Sequence, residues 1–208
     1  MSRGSAELTA ARKEEIIQAC AELNETMSFR EITIKEIGAA TSFTRTSIYN
    51  YFETKEELFL ALLQKEYELW VEAMDAVMAD RAAMTLDELA QTIARSLTDR
   101  PRLLRLLSMN LYDMEANSRP ERLTEFKKSY GESLDAVRDI LSKFCPEMDE
   151  ESRERFIFVF FPFMFGIYPY SVATEKQLAA MKEAGVKFTK CSVYKIIYNC
   201  IRKLLGDR

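Results

Sequence analysis

Residues 33–58 read "TIKEIGAATSFTRTSIYNYFETKEEL". Thr33 and Glu36 stand three apart, the spacing at which a threonine hydroxyl accepts from a free helix N–H and a glutamate returns the bond. A short helix over 33–40 follows, then the turn "TSF" and a second short helix from Thr44 to Asn50. On that second helix Ile48 and Phe52 lie one turn apart, with Thr44 one turn earlier, so the spacing predicts a stripe facing Phe29, Ile37 and the first helix. The opposite face carries Arg45, Thr46, Tyr49 and Asn50. Thr54 and Glu57 repeat the capping spacing and open a longer helix.

Capping boxes of the same kind are expected at Thr85/Glu88 and Ser118/Glu121. Between them apolar residues recur at helical spacing, as in Ile16, Cys20, Leu23 and Met27, or Leu103, Leu107, Leu111 and Met114. About nine helices are predicted, near 9–27, 33–40, 44–50, 54–80, 85–97, 100–115, 119–144, 150–174 and 189–205. With 6 Gly and 5 Pro in 208 residues and 48% hydrophobic content, the chain reads as all-α with ample core. The short helices give way to long ones inside the fourth, dividing residues 1–55 from a helical body over 56–208.

The composition argues against catalysis. Histidine is absent, which removes the commonest metal ligand and the usual general base near neutral pH. No Gly-rich phosphate loop or nucleophile elbow is present, and the acidic run 147–155 reads as a solvated helix start, so neither cofactor nor metal is expected. Cys20, Cys145, Cys191 and Cys200 lack metal-ligand or redox-pair spacing. With no apolar run of signal-peptide length near the N-terminus, reduced thiols and a cytoplasmic location are expected.

Two short helices across a tight turn match the helix-turn-helix, whose second helix enters the DNA major groove. Small polar side chains suit that position. Arg45 can pair with guanine, Thr46 can touch a base edge or thymine methyl, and Ser47, Tyr49, Asn50 and Tyr51 offer hydrogen bonds to bases or phosphates. Thr44 adds a hydroxyl, and Lys35 and Lys55 flank the helix as phosphate partners. The segment 33–58 resembles the tetracycline-repressor (TetR) family of bacterial transcription regulators, above all in its ending Tyr49, Tyr51, Phe52, Lys55 and Leu58. The resemblance implies a homodimer with two reading heads and a body that binds a small effector. Where that family usually has Ala-Gly-Val-Ser through the turn, this chain has Thr41, Ser42, Phe43 and Thr44, and Thr46 stands where Gly is usual in the reading helix. Ser42 in place of Gly predicts a different or mildly strained turn. Thr46 adds bulk that would alter the bases tolerated. Residues 1–55 carry seven basic side chains against eight acidic ones, a net of minus one, so each head neutralises few phosphates and a dimer is needed for useful affinity.

The stretch "FIFVFFPFMFGIYPYSVAT", residues 156–174, runs 19 residues without a charge. A membrane span is the rival reading, but Pro162, Gly166 and Pro169 interrupt it and charged segments flank it. A helix buried on two sides accounts for it better. One stripe holds Phe156, Phe160, Phe163, Ile167 and Tyr170, and another Ile157, Phe161, Met164 and Tyr168. One serves the subunit's own core and the other a partner. Phe156, Phe160 and Ile167, with Val193, Ile197, Ile201 and Leu204 of the last helix, are the expected dimer contacts. Met109, Asn110, Tyr112, Met114, Phe163, Met164 and Tyr168 are the candidate effector pocket, since methionine and aromatic side chains suit a hydrophobic or amphipathic ligand. The expected protein is a ligand-responsive repressor that binds a near-palindromic operator as a homodimer. A membrane-associated or protein-binding helical module without DNA binding is the alternative.

Overall fold

The computed structural model describes residues 3–109 and 111–206, and among these every regular element is a helix. They run α1 (Arg3–Thr26), α2 (Ile34–Ala39), α3 (Arg45–Ile48), α4 (Lys55–Asp80), α5 (Leu86–Thr98), α6 (Pro101–Leu107), α7 (Leu111–Ala116), α8 (Pro120–Phe144), α9 (Glu150–Ser171), α10 (Glu175–Glu183) and α11 (Val193–Leu205).

The all-α reading therefore holds, with eleven helices among the described residues where about nine were expected. The helix expected over 100–115 is two. α6 ends at Ser108, whose hydroxyl turns back to donate to the Arg105 carbonyl at 2.7 Å. The additional helix α10 lies where the sequence predicted none. It opens with a full capping box, Thr174 accepting from the Gln177 amide and Gln177 accepting from that of Thr174. Its apolar residues stay uncovered, so no apolar periodicity marks it.

Thr85 and Glu88 form the expected reciprocal box. Thr54 caps only in part, accepting from the Glu57 amide at 3.1 Å while the Glu57 carboxylate is engaged elsewhere. Ser118 does not cap. Its hydroxyl donates to the Met114 carbonyl at 2.7 Å, closing α7 instead of opening α8, which starts at Pro120.

Two compact units result. The first comprises Met1–Lys65 and Asn110–Ser129, the second Glu66–Met109 and Tyr130–Arg208. Thus the first unit runs past residue 55 and takes in α7 and the start of α8, segments that a boundary at 55/56 assigns to the body. Its core joins Ile16 and Cys20 of α1, Ile37 of α2, Ile48, Phe52, and Leu58 and Phe59 of α4, all fully buried. Each such side chain contributes about 1.5–3 kcal/mol on burial.

In the second unit α11 packs on α5 and α9, and α6 on α9. Trp70 of α4 is fully buried, meets Phe161 edge-on and donates its indole N–H to the Ser96 hydroxyl at 3.0 Å. Five expected dimer contacts are used inside this core: Phe156, Phe160, Ile167, Ile197 and Ile201 are buried by their own chain. Val193 and Leu204 are half-buried. The correction has a simple cause. Ile157, Phe161 and Met164 are buried too, so both predicted stripes of α9 face inward except at the end of the first, where Tyr170 is exposed, and a third face carries Phe158 at 75% exposure and Val159. A helical period locates a buried face but not what buries it. No single described helix is long and apolar enough to cross a membrane.

Candidate nucleic-acid interface and effector cavity

Helix α3 is only four residues long, and its placement rests on its ends. Thr44 takes an extended conformation and caps it, accepting from the Ser47 amide at 3.2 Å. The expected inward position of Thr44 is corrected by this role, since a capping residue precedes the helix and here stays exposed. Ile48 and Phe52 point inward as the spacing predicts. α2 lies close to α3, yet a Cβ at Gly38 would lie 3.4 Å from the Arg45 backbone nitrogen, an ordinary contact, so the approach does not require glycine there.

Arg45, Thr46, Tyr49 and Asn50 are exposed together, while Ser47 and Tyr51 are half-buried. The Arg45 guanidinium donates to the Tyr49 hydroxyl at 3.2 Å and lies 5.8 Å over its ring centre, an arrangement that limits its rotamers before any DNA arrives. Lys35 is exposed on α2. Lys55 is placed otherwise. Its ammonium donates to the carbonyls of Phe29 at 2.8 Å and Ile32 at 3.4 Å and sits 4.1 Å over the Phe29 ring, tying α4 to the α1–α2 turn.

The turn before α3 is unstrained, because among the described residues none other than glycine has positive φ. Ser42 therefore needs no glycine-like backbone, which overturns the expectation of strain. Its amide donates to the Glu15 carboxylate of α1 at 2.8 Å. That backbone bond, with one from the Ser42 hydroxyl, holds the Glu15 carboxyl below its ordinary pKa. Beside it the Arg12 guanidinium lies 5.9 Å over the Phe43 ring. The sequence offered no sign of either contact, since the partners are about thirty positions apart.

A second arrangement that sequence reasoning missed grips the far end of the reading helix. Glu57 has no exposed side-chain surface and accepts from Arg119 Nε at 2.6 Å, a terminal Arg119 nitrogen at 2.7 Å, the Arg119 amide at 3.0 Å and the Glu53 amide at 2.9 Å. Burial opposes ionisation of this carboxyl, but those bonds outweigh it and bring its pKa down to about 2. Arg119 and Arg122 each also donate to the Tyr51 carbonyl at 3.3 Å, and Arg122 lies over the Phe52 ring. The Thr54 hydroxyl donates to the Asn117 carbonyl at 3.0 Å. Residues 117–122 thus hold the segment that ends the reading helix.

In the second unit an open cleft of about 530 Å³ is lined by apolar side chains of α9 (Pro162, Phe163, Ile167, Tyr170), with Phe188, Cys191 and Ile196. Tyr170 and Phe188 also wall a neighbouring cleft of about 490 Å³ against α10. Of the candidate pocket residues Phe163 lines the first cleft. Met164 is buried in the core, and Met109 and Tyr168 are half-buried outside the cleft lining. Tyr112, 82% exposed, and Met114, buried, belong to the first unit. Asn110 lies outside the described residues.

A capped reading helix on a buried two-residue anchor, joined to a helical body, defines a helix-turn-helix DNA-binding transcription regulator. The profile described as "Bacterial regulatory proteins, tetR family" matches residues 16–62, and "Tetracyclin repressor-like, C-terminal domain" matches 64–193. The chain belongs to the TetR family. Among solved structures it resembles a TetR transcriptional regulator from Rhodococcus sp. RHA1, at 14% identity over 96% of this chain and 98% of that one, with a TM-score of 0.62. It also resembles FadR of Thermus thermophilus, a TetR family repressor in complex with lauroyl-CoA, at 21% identity over 93% of each chain and a TM-score of 0.61. FadR of Bacillus subtilis in complex with stearoyl-CoA is similar at 14% identity over 94% and 98%, with a TM-score of 0.59. No protein of curated function matches the sequence significantly.

Proposed function

We propose that this regulator is a homodimeric repressor that reads a near-palindromic operator with its two α3 helices and releases it when a hydrophobic or amphipathic effector enters the body. The observation that carries the reading is the exposed group Arg45, Thr46, Tyr49 and Asn50 on a helix anchored by buried Ile48 and Phe52. Two-fold symmetry sets half-sites about 34 Å apart or a multiple of that. Residues 1–55 serve as the reading head and 56–208 as the effector-binding and dimerisation part, working in the cytoplasm. Incubating the protein with fragmented genomic DNA at two salt concentrations and sequencing what is retained tests this. An inverted repeat retained at the higher salt supports it; binding without sequence preference at low salt alone contradicts it.

The exposed α9 face favours dimerisation there rather than through the buried residues expected from sequence. Phe158→Glu places a charge on that face and is expected to convert the dimer to monomer at micromolar concentration in sedimentation velocity, with helicity unchanged. A persistent dimer would move the interface elsewhere.

The apolar cleft against α9 has the size and lining of a site for an acyl chain, and two similar structures hold lauroyl-CoA and stearoyl-CoA. Cys191 lines it and is half-exposed, whereas Cys20 and Cys145 are buried. Saturating long-chain acyl-CoA is expected to slow maleimide labelling of Cys191 several-fold and leave half-exposed Cys200 unaffected, read by peptide mass mapping. Equal labelling with and without the ligand would exclude this cleft as its site.

A further inference from the structure

The acidic side chain beside the reading helix needs an explanation. The head carries a net charge of minus one, and an acid next to a DNA-binding turn weakens phosphate binding on electrostatic grounds alone. Glu15 nevertheless sits at the turn, its carboxylate 2.8 Å from the Ser42 amide. Arg12 stands three residues earlier, on the same face of α1, with its guanidinium over Phe43. Two consecutive turn residues are therefore gripped by one helix face, Ser42 through its backbone and Phe43 through its ring.

The grip is separate from the interior. The stability of the head rests on Ile16, Ile37, Ile48 and Phe52, all fully buried, whereas Arg12, Glu15 and Ser42 are exposed. Within the turn itself the stabilising bonds are weak, Thr41 Oγ1 to the Gly38 carbonyl and the Phe43 amide to Thr41 Oγ1, both at 3.3 Å. Buried Ile48 and Phe52 and the Arg119 and Arg122 bonds to Tyr51 hold the middle and far end of the helix, and at its near end, where the turn is lightly tied, Glu15 and Arg12 supply the hold. An error in the direction of the helix displaces Arg45 and Tyr49 from the base edges they would meet.

We infer that Glu15, supported by Arg12, is a positioning residue for DNA recognition: it fixes the turn at Ser42 and Phe43 so that α3 is presented at one angle. The inference rests on the reading of α3 as the DNA-contacting helix. It makes α1, a helix outside the helix-turn-helix pair, a determinant of operator affinity.

The test uses the full-length protein and the operator recovered by genomic selection, and compares wild type, Glu15→Gln and Glu15→Ala by fluorescence anisotropy. Electrostatics alone predicts that both substitutions tighten binding equally, because each removes one negative charge. The positioning role predicts opposite signs. Glu15→Gln keeps an oxygen that accepts from the Ser42 amide and binds as tightly as wild type or tighter. Glu15→Ala loses the acceptor and binds about two- to tenfold more weakly per head, the range for one hydrogen bond. Helicity stays at the wild-type value in both, and the melting temperature falls only as far as one exposed hydrogen bond accounts for. Equal affinities of the two variants, or a loss in Glu15→Ala accompanied by loss of helicity or by unfolding at the assay temperature, overturns the inference while the reading of α3 stands. Failure of wild type to retain any specific DNA overturns that reading instead.

Discussion

Glu57→Ala is expected to destabilise the fold by about 2–3 kcal/mol, lowering the melting temperature of the 208-residue chain by about 4–12 °C. The estimate follows from what the carboxylate does. It is fully buried, and its removal takes away two bonds from the Arg119 side chain and leaves the amides of Glu53 and Arg119 without their acceptor. Loss of a buried partner to a charged group costs more than a neutral hydrogen bond. Arg119 retains access to water, which keeps the figure below that for a wholly buried pair. Calorimetry of wild type and variant at pH 7 measures it, and melting temperatures within 1 °C, on the order expected of a neutral surface site, would contradict it.

The same carboxylate sets a pH window. Its pKa in the folded chain is about 2 against an ordinary 4.5. A depressed carboxyl stabilises the fold fully above the ordinary value and loses that contribution as pH falls toward the folded value. The difference in stability between wild type and Glu57→Gln is therefore expected to be constant above pH 4.5 and to shrink steadily between about 4.5 and 2. A difference independent of pH through that window would show that the charge of Glu57 contributes nothing.

The site has a functional side as well. Arg119 and Arg122 both hold the Tyr51 carbonyl, so the segment that follows α7 is bonded to the end of the reading helix. Any shift of residues 117–122 acts on the peptide of Tyr51 directly.

Arg45→Ala is expected to reduce operator affinity by about 1–3 kcal/mol, or roughly five- to 150-fold, if the guanidinium reads a base pair. The guanidinium lies 5.8 Å over the Tyr49 ring and donates to its hydroxyl at 3.2 Å, which narrows the orientations it takes. Anisotropy titrations on the cognate site and on a scrambled one decide the role. A base-reading arginine loses affinity on the cognate site and little on the scrambled one. A phosphate contact loses similar affinity on both, with a lower salt slope. Unchanged cognate binding would remove Arg45 from the reading set.

How much of this was legible in the sequence depends on the range of each interaction. The helix-turn-helix was, because caps and anchors such as Thr33 with Glu36, or Ile48 with Phe52, act within one or two turns. The box at Ser118 was misassigned, because the same spacing allows a serine to bond backward to Met114 as readily as forward. Helix α10 was missed because no core periodicity marks a helix whose apolar face stays uncovered. Phe156, Phe160, Ile167, Ile197 and Ile201 were expected at a subunit interface for the converse reason, since their periodicity was real but their burial belongs to their own chain.

The sequence by itself determined the helical class, the reading helix with its exposed Arg45, Thr46, Tyr49 and Asn50, and the identity of the family. These depend on local geometry, which residue spacing records directly. The tertiary structure alone decided that Glu15 and Arg12 hold the turn, that Arg119 and Arg122 hold Tyr51, that Lys55 serves the α1–α2 turn, and which face of α9 remains open. Each joins partners from about 20 to 70 positions apart, where closing the intervening loop costs entropy that only the completed core offsets, and spacing in the chain carries no trace of such pairs.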